Sequence, residues 1–335
     1  MLRPDRRRTW RLAAPVAFAL VATGLAGCAT ETVTPQSSSA VAYAAVGATA
    51  ANPGNSVAVV QTATGALGRP VAVGTLPSGL ALVPGAQDLL VTVKAQNELA
   101  EVATSTGRVV KRIGVGLEPD AVTVTPDGRT ALVANFGDDT VTVVHLPDLT
   151  SGPTIAVGRQ PVAIAVTPDG HQALVVDFQD GTLTPVAIPA YVAGSPVPVG
   201  AGPVAVFVTS RIRALVADFQ TSGLTPVVLP TLTPQPSIPL GANPTDIDGL
   251  VGAGVTWVSA GFGLTPVSSV GGVVGKAIPI GVPAQCLAVT RDAKAWVCGG
   301  DGTLVEVDLA TGRMLRTVVL GGIPAAAVVA GGAGP

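Results

Sequence analysis

The stretch PDAVTVTPDGRTALVANFGDDTVTVVHLPDLTSGPTIAVGRQ, Pro119 to Gln160, decides the fold. Ala121-Val122-Thr123-Val124 is a short β-branched run, closed by Pro126-Asp127-Gly128. In that turn proline fixes φ, aspartate accepts local backbone hydrogen bonds and glycine tolerates positive φ. Thr130 to Ala134 is a second run, Gly137-Asp138-Asp139 a second turn, and Thr140 to Leu146 and Thr154 to Val157 are further runs. Alternation with period two and enrichment in Val, Thr and Ile predict four strands, lettered A to D. No segment of this unit carries the helical period.

The next unit copies it, with Ala163-Ile164-Ala165-Val166, Pro168-Asp169-Gly170, Ala173 to Val176 and Thr182 to Ile188. Outward from these two units, Pro77, Pro119, Pro161, Pro203, Pro244, Pro283 and Pro324 recur at intervals of 42, 42, 42, 41, 39 and 41 residues. A period near 40–45 that holds four short apolar runs predicts propeller blades rather than a helical solenoid. Six units end at Pro324, and two fragments remain. Pro324 to Ala330 supplies a strand A; Val41 to Val46, Ser56 to Thr62 and Pro70 to Val73 supply B, C and D. The expected fold is therefore an all-β, seven-bladed propeller of four-stranded antiparallel blades in one domain, residues 41–335. Its last blade combines three N-terminal strands with one C-terminal strand, so no blade presents an open edge to the gap.

Residues 1–40 follow different rules. Arg3, Arg6, Arg7, Arg8 and Arg11 precede the apolar run Leu12 to Leu25, which is too short for a spanning helix and reads as a secretory signal. The run closes on Leu25-Ala26-Gly27-Cys28, which resembles the lipobox of bacterial lipoproteins. That resemblance implies cleavage after residue 27, lipid attachment at Cys28, and a location on the outer face of the cytoplasmic membrane. Residues 28–40 are expected to form a flexible tether. Removing five arginines and one aspartate from totals of 19 and 21 leaves a net charge of −6 on residues 28–335. That balance excludes the basic patch expected of a nucleic-acid binder.

Units such as PDAVTVTPDGRTALVANFGDDTVTVV resemble the YVTN-type β-propeller repeat of bacterial surface and periplasmic proteins. Leu132-Val133-Ala134-Asn135 and Leu174-Val175-Val176-Asp177 stand where that repeat has its signature. The resemblance implies a fold and leaves the activity open, because function sits in sites rather than folds. Lactonases and streptogramin lyases are similar-looking propeller enzymes, and the comparison implies a cluster of His, Glu, Asp or Arg around a metal. Here His145 and His171 fall at different repeat positions, and the glutamates after the tether are Glu98, Glu101, Glu118 and Glu306. No catalytic residue, metal site or cofactor is assigned.

In a propeller the B–C and D–A loops share one face, and the A–B and C–D loops share the other. Sorting charges this way puts Asp138, Asp139, Asp177, Asp180, Asp218 and Asp301 on the first face, with Asn135 at the same repeat position as Asp177 and Asp218. These seven form the candidate binding rim. The bland reading of Asn135, Asp177 and Asp218 is that each caps a B–C turn while Phe136, Phe178 and Phe219 pack between blades. The opposite face receives Arg108, Arg129, Arg211, Arg213, Lys276, Arg291, Lys294 and Arg313, diluted by Asp127, Asp169 and Asp292. Trp257 and Trp296 are expected in the core. Cys286 and Cys298 flank the turn at Asp292 almost symmetrically, which suits a disulfide. The other repeats suggest a register one residue away, which places the two side chains on opposite faces.

Pro185, Pro226 and Pro266 on strand C, and the prolines that follow them, predict short outer margins in three blades. The leading functional expectation is a membrane-anchored, monomeric binding scaffold for a protein or cell-envelope component. The alternatives are a lactonase- or lyase-like enzyme with a metal in the central channel, and a passive structural surface protein.

Overall fold

The computed structural model describes residues 40–47, 54–85 and 88–330. Cys28, the signal and all of the tether but Ala40 lie outside the described residues. Seven antiparallel sheets form the ring, each with a strand A on the inside and a strand D at the rim. The second blade shows the pattern: Pro119–Val124, Thr130–Asn135, Thr140–His145 and Thr150–Ala156. The seventh pairs Pro324–Ala330 with Val41–Val46, which pairs with Ser56–Gln61 and then Val71–Ala72. Among the described residues a single 3-10 turn, Lys94–Gln96, interrupts the strands, and no helix is long and apolar enough to cross a membrane.

Each blade has two apolar faces, so the core lies between blades. Leu132, Val141 and Val143 of the second blade pack with Val166, Ala173, Val175 and Val186 of the third. Burying one such side chain contributes about 1.5–3 kcal/mol. The closing blade is gripped on both sides. Its Ala42, Val60 and Val329 pack with Trp296, Cys298 and Leu304 of the sixth blade, and its Tyr43, Val57 and Val71 pack with Leu89, Val91 and Val102 of the first. Hydroxyls also stitch neighbouring inner strands: Ser78 donates to the carbonyl of Pro119, and Thr245 to that of Ala284.

Ala284, not Pro283, opens strand A of the sixth blade. It pairs with Gly299 as Pro244 pairs with Ala260, and a bulge follows in both. Counting from Pro283 therefore displaces that unit by one residue. With the register restored, Cys286 lies directly opposite Cys298 and the two are joined as a disulfide.

Strand D is cut into two-residue pieces in the third and fourth blades, and only Ile278–Pro279 is formed in the fifth. These three blades have proline on strand C, which removes an N–H donor there; the seventh blade, with Val71–Ala72 and an isolated Val60–Leu67 bridge, is cut short without one.

Candidate binding face

The B–C turns are tied to the D–A loops by side chains that reach 21 residues, half a repeat. Asp138 accepts the amide of Leu117 at 3.0 Å, and Asp180 that of Arg159 at 2.8 Å. These bonds hold the loop leading into a blade. Asn97 and Asp139 accept the amides of Glu118 and Gln160, each at 2.9 Å, and hold the loop leading out. Arg159 also forms an ion pair with Asp180 at 2.6 Å. Asp301 accepts the amide and hydroxyl of Thr303 within its own turn. So four of the rim carboxylates stand at B–C turns, and their oxygens shape the loops.

Asn135, Asp177 and Asp218 do not belong to a rim. All three are fully buried. The Asn135 amide group donates to Thr140 and Thr142, and its carbonyl accepts the Gly116 N–H. Asp177 accepts from Thr182 and Thr184, and Asp218 from Thr225 and the Gly200 N–H. Burial pushes both carboxyls up to about 6, against the pull of the hydroxyls. A polar residue at the end of strand B, a threonine seven residues later on strand C (joined at Asn135 and Asp177 by a second, five residues later), and a glycine about 19 residues earlier form an internal clamp. These spacings were the sequence signal for burial.

With those carboxylates committed, the mouth of the channel is defined by aromatic and apolar groups. Phe136 and Phe178 line a central cavity of about 490 Å³, together with Leu80, Ala121, Ala163, Val204 and Ala326. Phe219, at the same repeat position, is 37% exposed, and Phe262 in the fifth blade is 65% exposed. The equivalent residue is Lys94 in the first blade and Gly300 in the sixth. Phe136 and Phe178 thus line the cavity, and Phe219 and Phe262 continue the arc along the B–C turns outside that lining, Phe262 standing one residue past the equivalent position, which Gly261 holds. Lys94 closes one end of the arc: it pairs with Asp120 at 2.8 Å, with its ammonium 5.7 Å from the Phe136 ring centre. Exposed Leu76 and Leu117 flank it.

Among the described residues the charged groups on the inner strands are Asp120, Asp246 and Asp248, the last two on strand A of the fifth blade; Asp120 and Asp246 line the cavity. Asp246 accepts the Leu287 amide and Asp248 the Val289 amide, both on the inner strand of the sixth blade. His145 lies near the Tyr191 ring, and His171 sits beside Asp169 in an exposed A–B turn, both remote from the mouth. Among the described residues no group of three His, Cys, Asp or Glu side chains converges as a metal site. The arrangement suits retention of an apolar group with a polar or cationic edge.

No family model matches the chain, and no curated protein sequence matches it. Solved structures do. A functionally unknown protein from Desulfotomaculum acetoxidans aligns with a TM-score of 0.73 at 16% identity, covering 82% of this chain and 95% of that one. A protein from Lactobacillus plantarum gives 0.73 at 16% identity, over 87% and 99% of the two chains. A candidate 6-phosphogluconolactonase from Bacteroides uniformis gives 0.71 at 17% identity, over 87% and 99%. At these identities the likeness concerns the propeller fold.

Proposed function

We propose that this chain is a binding propeller, held on the outer face of the cytoplasmic membrane by lipid at Cys28, that receives an apolar segment of a protein or cell-envelope partner at its B–C mouth. The observation that supports it is the placement of phenylalanine. The chain has six; Phe136, Phe178, Phe219 and Phe262 all stand at B–C turns of consecutive blades, half-buried or exposed. Aromatic anchors beside a concave apolar opening are the usual centre of a recognition surface. The test is a photo-crosslinking residue at Phe219 or Phe262 in intact cells, with Val192 on the opposite face as control. A shared adduct at the first two positions that is missing from the third is expected. The same adduct from Val192 would sink the proposal. Metabolic labelling with palmitate, lost on Cys28→Ser, tests the anchor.

A second reading, a lactonase-like enzyme, is favoured by the likeness to the candidate lactonase and by two inner-strand carboxyls raised to about 6 and about 7. Raised carboxyls in a cleft are a common mark of acid–base chemistry. Both carboxylates, however, are spent on backbone amides of the next blade. Hydrolysis of sugar-acid lactones that disappears in Asp246→Asn would establish this reading.

A further inference from the structure

The face opposite the mouth carries a sector with its own chemistry. In the fourth and fifth blades its loops cover residues 210–213, 229–233, 250–255 and 268–276, and none contains Asp or Glu. Val270, Val273 and Ile212 are 76%, 69% and 64% exposed, and Val251 and Val255 are also exposed. The five belong to one patch. Arg213 of the fourth blade donates to the carbonyls of Ser269 and Val270 in the fifth, and the Ser269 amide donates to Gly254. The Gly252 amide donates back to Thr209 of the fourth blade. Arg211 is exposed beside Ile212. Elsewhere on this face carboxylates intervene at Asp127, Asp169 and Asp292.

We propose that this patch is a lipid-contacting surface that seats the propeller on an anionic membrane. The inference rests on the Cys28 anchor proposed above. Ala40 enters the ring on this same face: its carbonyl accepts both the amide and the hydroxyl of Thr62, in the C–D turn of the seventh blade. The patch lies across the ring from that point. One attachment would let the disc swing about its tether; a second, on the far side of the same face, lays the face flat and turns the aromatic mouth outward. Aliphatic tips with arginines and no carboxylate complement an anionic headgroup layer over an apolar interior. The patch is small, and the tether supplies the effective concentration that lets a weak contact form.

Every strand among the described residues lies within 41–330, and residues 39–335 cluster as one compact unit, so residues 28–335 carry the whole described ring. In this form Cys28 is the only free thiol, because Cys286 and Cys298 are bridged. Coupling Cys28 to a maleimide lipid in phosphatidylglycerol-containing vesicles supplies the anchor chemically. Amide exchange in residues 250–255 and 268–274 should then slow by about tenfold relative to the uncoupled protein. The loops around Phe219 and Phe262 should not change. Val270→Asp with Val273→Asp should abolish the protection while leaving the thermal midpoint in place. The proposal is overturned by unchanged exchange in these loops, by protection on the mouth face instead, or by equal protection in an uncoupled dimer, which would make the patch a contact between copies. Because the anchor is supplied, failure here is distinct from failure of palmitate labelling at Cys28 in cells.

Discussion

Cys286 and Cys298 stand directly opposite each other on strands A and B of the sixth blade, Cα–Cα 4.9 Å, joined by a disulfide. Both pack with Ala42, Val60 and Val329, so the crosslink lies beside the blade assembled from the two ends of the chain. Closing a loop of this length contributes up to about 3 kcal/mol. Reductant should lower the thermal midpoint of the wild-type protein. Cys298→Ala should begin lower and be indifferent to reductant. A wild-type midpoint that ignores reductant would remove the bridge from the stability of the ring.

Asp177 and Asp218 should make the fold less stable as pH rises. Their folded pKa values of about 6 lie above the unfolded value of about 3.9. The folded state therefore holds their protons more tightly, and stability present below pH 4 is lost as pH climbs through 6. Each shift corresponds to up to about 3 kcal/mol. Asn135 shows that an amide fits the same clamp, donating to two threonines and accepting from a glycine. Asp177→Asn and Asp218→Asn should match the wild type at pH 4 and exceed it at pH 8 in urea midpoint. Equal midpoints at pH 8 would refute the assignment.

The glycines facing those carboxylates should resist substitution. A Cβ on Gly158 would meet the Asp177 carboxyl, and one on Gly200 the Asp218 carboxyl, well inside van der Waals contact. Neither side can yield easily, since Asp177 is held by Thr182 and Thr184 and Asp218 by Thr225 of strand C. Gly158→Ala should cost about 1–3 kcal/mol. Gly114→Ala, where open space surrounds the new methyl, should cost less. A reversed order of unfolding midpoints would show that the clamp gives way.

The ring was legible because proline, glycine and Pro-Asp-Gly turns punctuate it at fixed intervals, and because the two leftover fragments add up to one blade. Local chemistry sets those signals. The site was less legible for two physical reasons. A polar side chain at the end of strand B looks the same in sequence whether it faces water or a neighbouring loop, and only the threonine and glycine spacings around Asn135, Asp177 and Asp218 tell them apart. In the sixth blade Pro283 sits one residue ahead of the strand, where Ala284 pairs; a repeat counted on proline alone slips there. The position of the phenylalanines was visible, but their exposure depends on how far the B–C turns stand from the channel wall, which no local pattern encodes.

Glu306 should be the charged group least tolerant of losing its partner. It is fully buried on strand C, 2.6 Å from Arg316 and 3.4 Å from Lys294. Removing Arg316 leaves this buried carboxylate with Lys294 alone, and the cost approaches but does not exceed the about 3–5 kcal/mol of a fully unpaired buried charge. Arg316→Met should destabilise by that order. Glu306→Val with Arg316→Val should recover most of the loss, since the second blade has Val143 at this place on strand C. A double variant as weak as Arg316→Met would mean that packing, not charge, is at fault.

Asp246 and Asp248 should titrate as an interacting pair that reports on the joint between the fifth and sixth blades. The inner strand of each blade ends its sheet at the channel, so its outward amides need acceptors from elsewhere. Asp246 takes the Leu287 amide at 2.8 Å and Asp248 the Val289 amide at 2.7 Å. Each also accepts the amide of the residue that follows it, at 2.8 Å. Those four bonds favour the charged forms, yet the enclosing walls prevail and push Asp246 up to about 6 and Asp248 to about 7. The Asp246 charge adds to the rise at Asp248. Folded values above the unfolded one mean that ionisation costs stability, and the loss runs from about pH 4 through 7. In carbon-13 carboxyl spectra, Asp246→Asn should lower the Asp248 midpoint, because the like charge is gone. The Val289 amide should follow the same curve, since its acceptor is the titrating oxygen. If the Asp248 midpoint stays put while the Val289 amide still titrates, burial alone sets the value and the pair is uncoupled. If the amide does not titrate, Asp248 does not bridge the blades in solution.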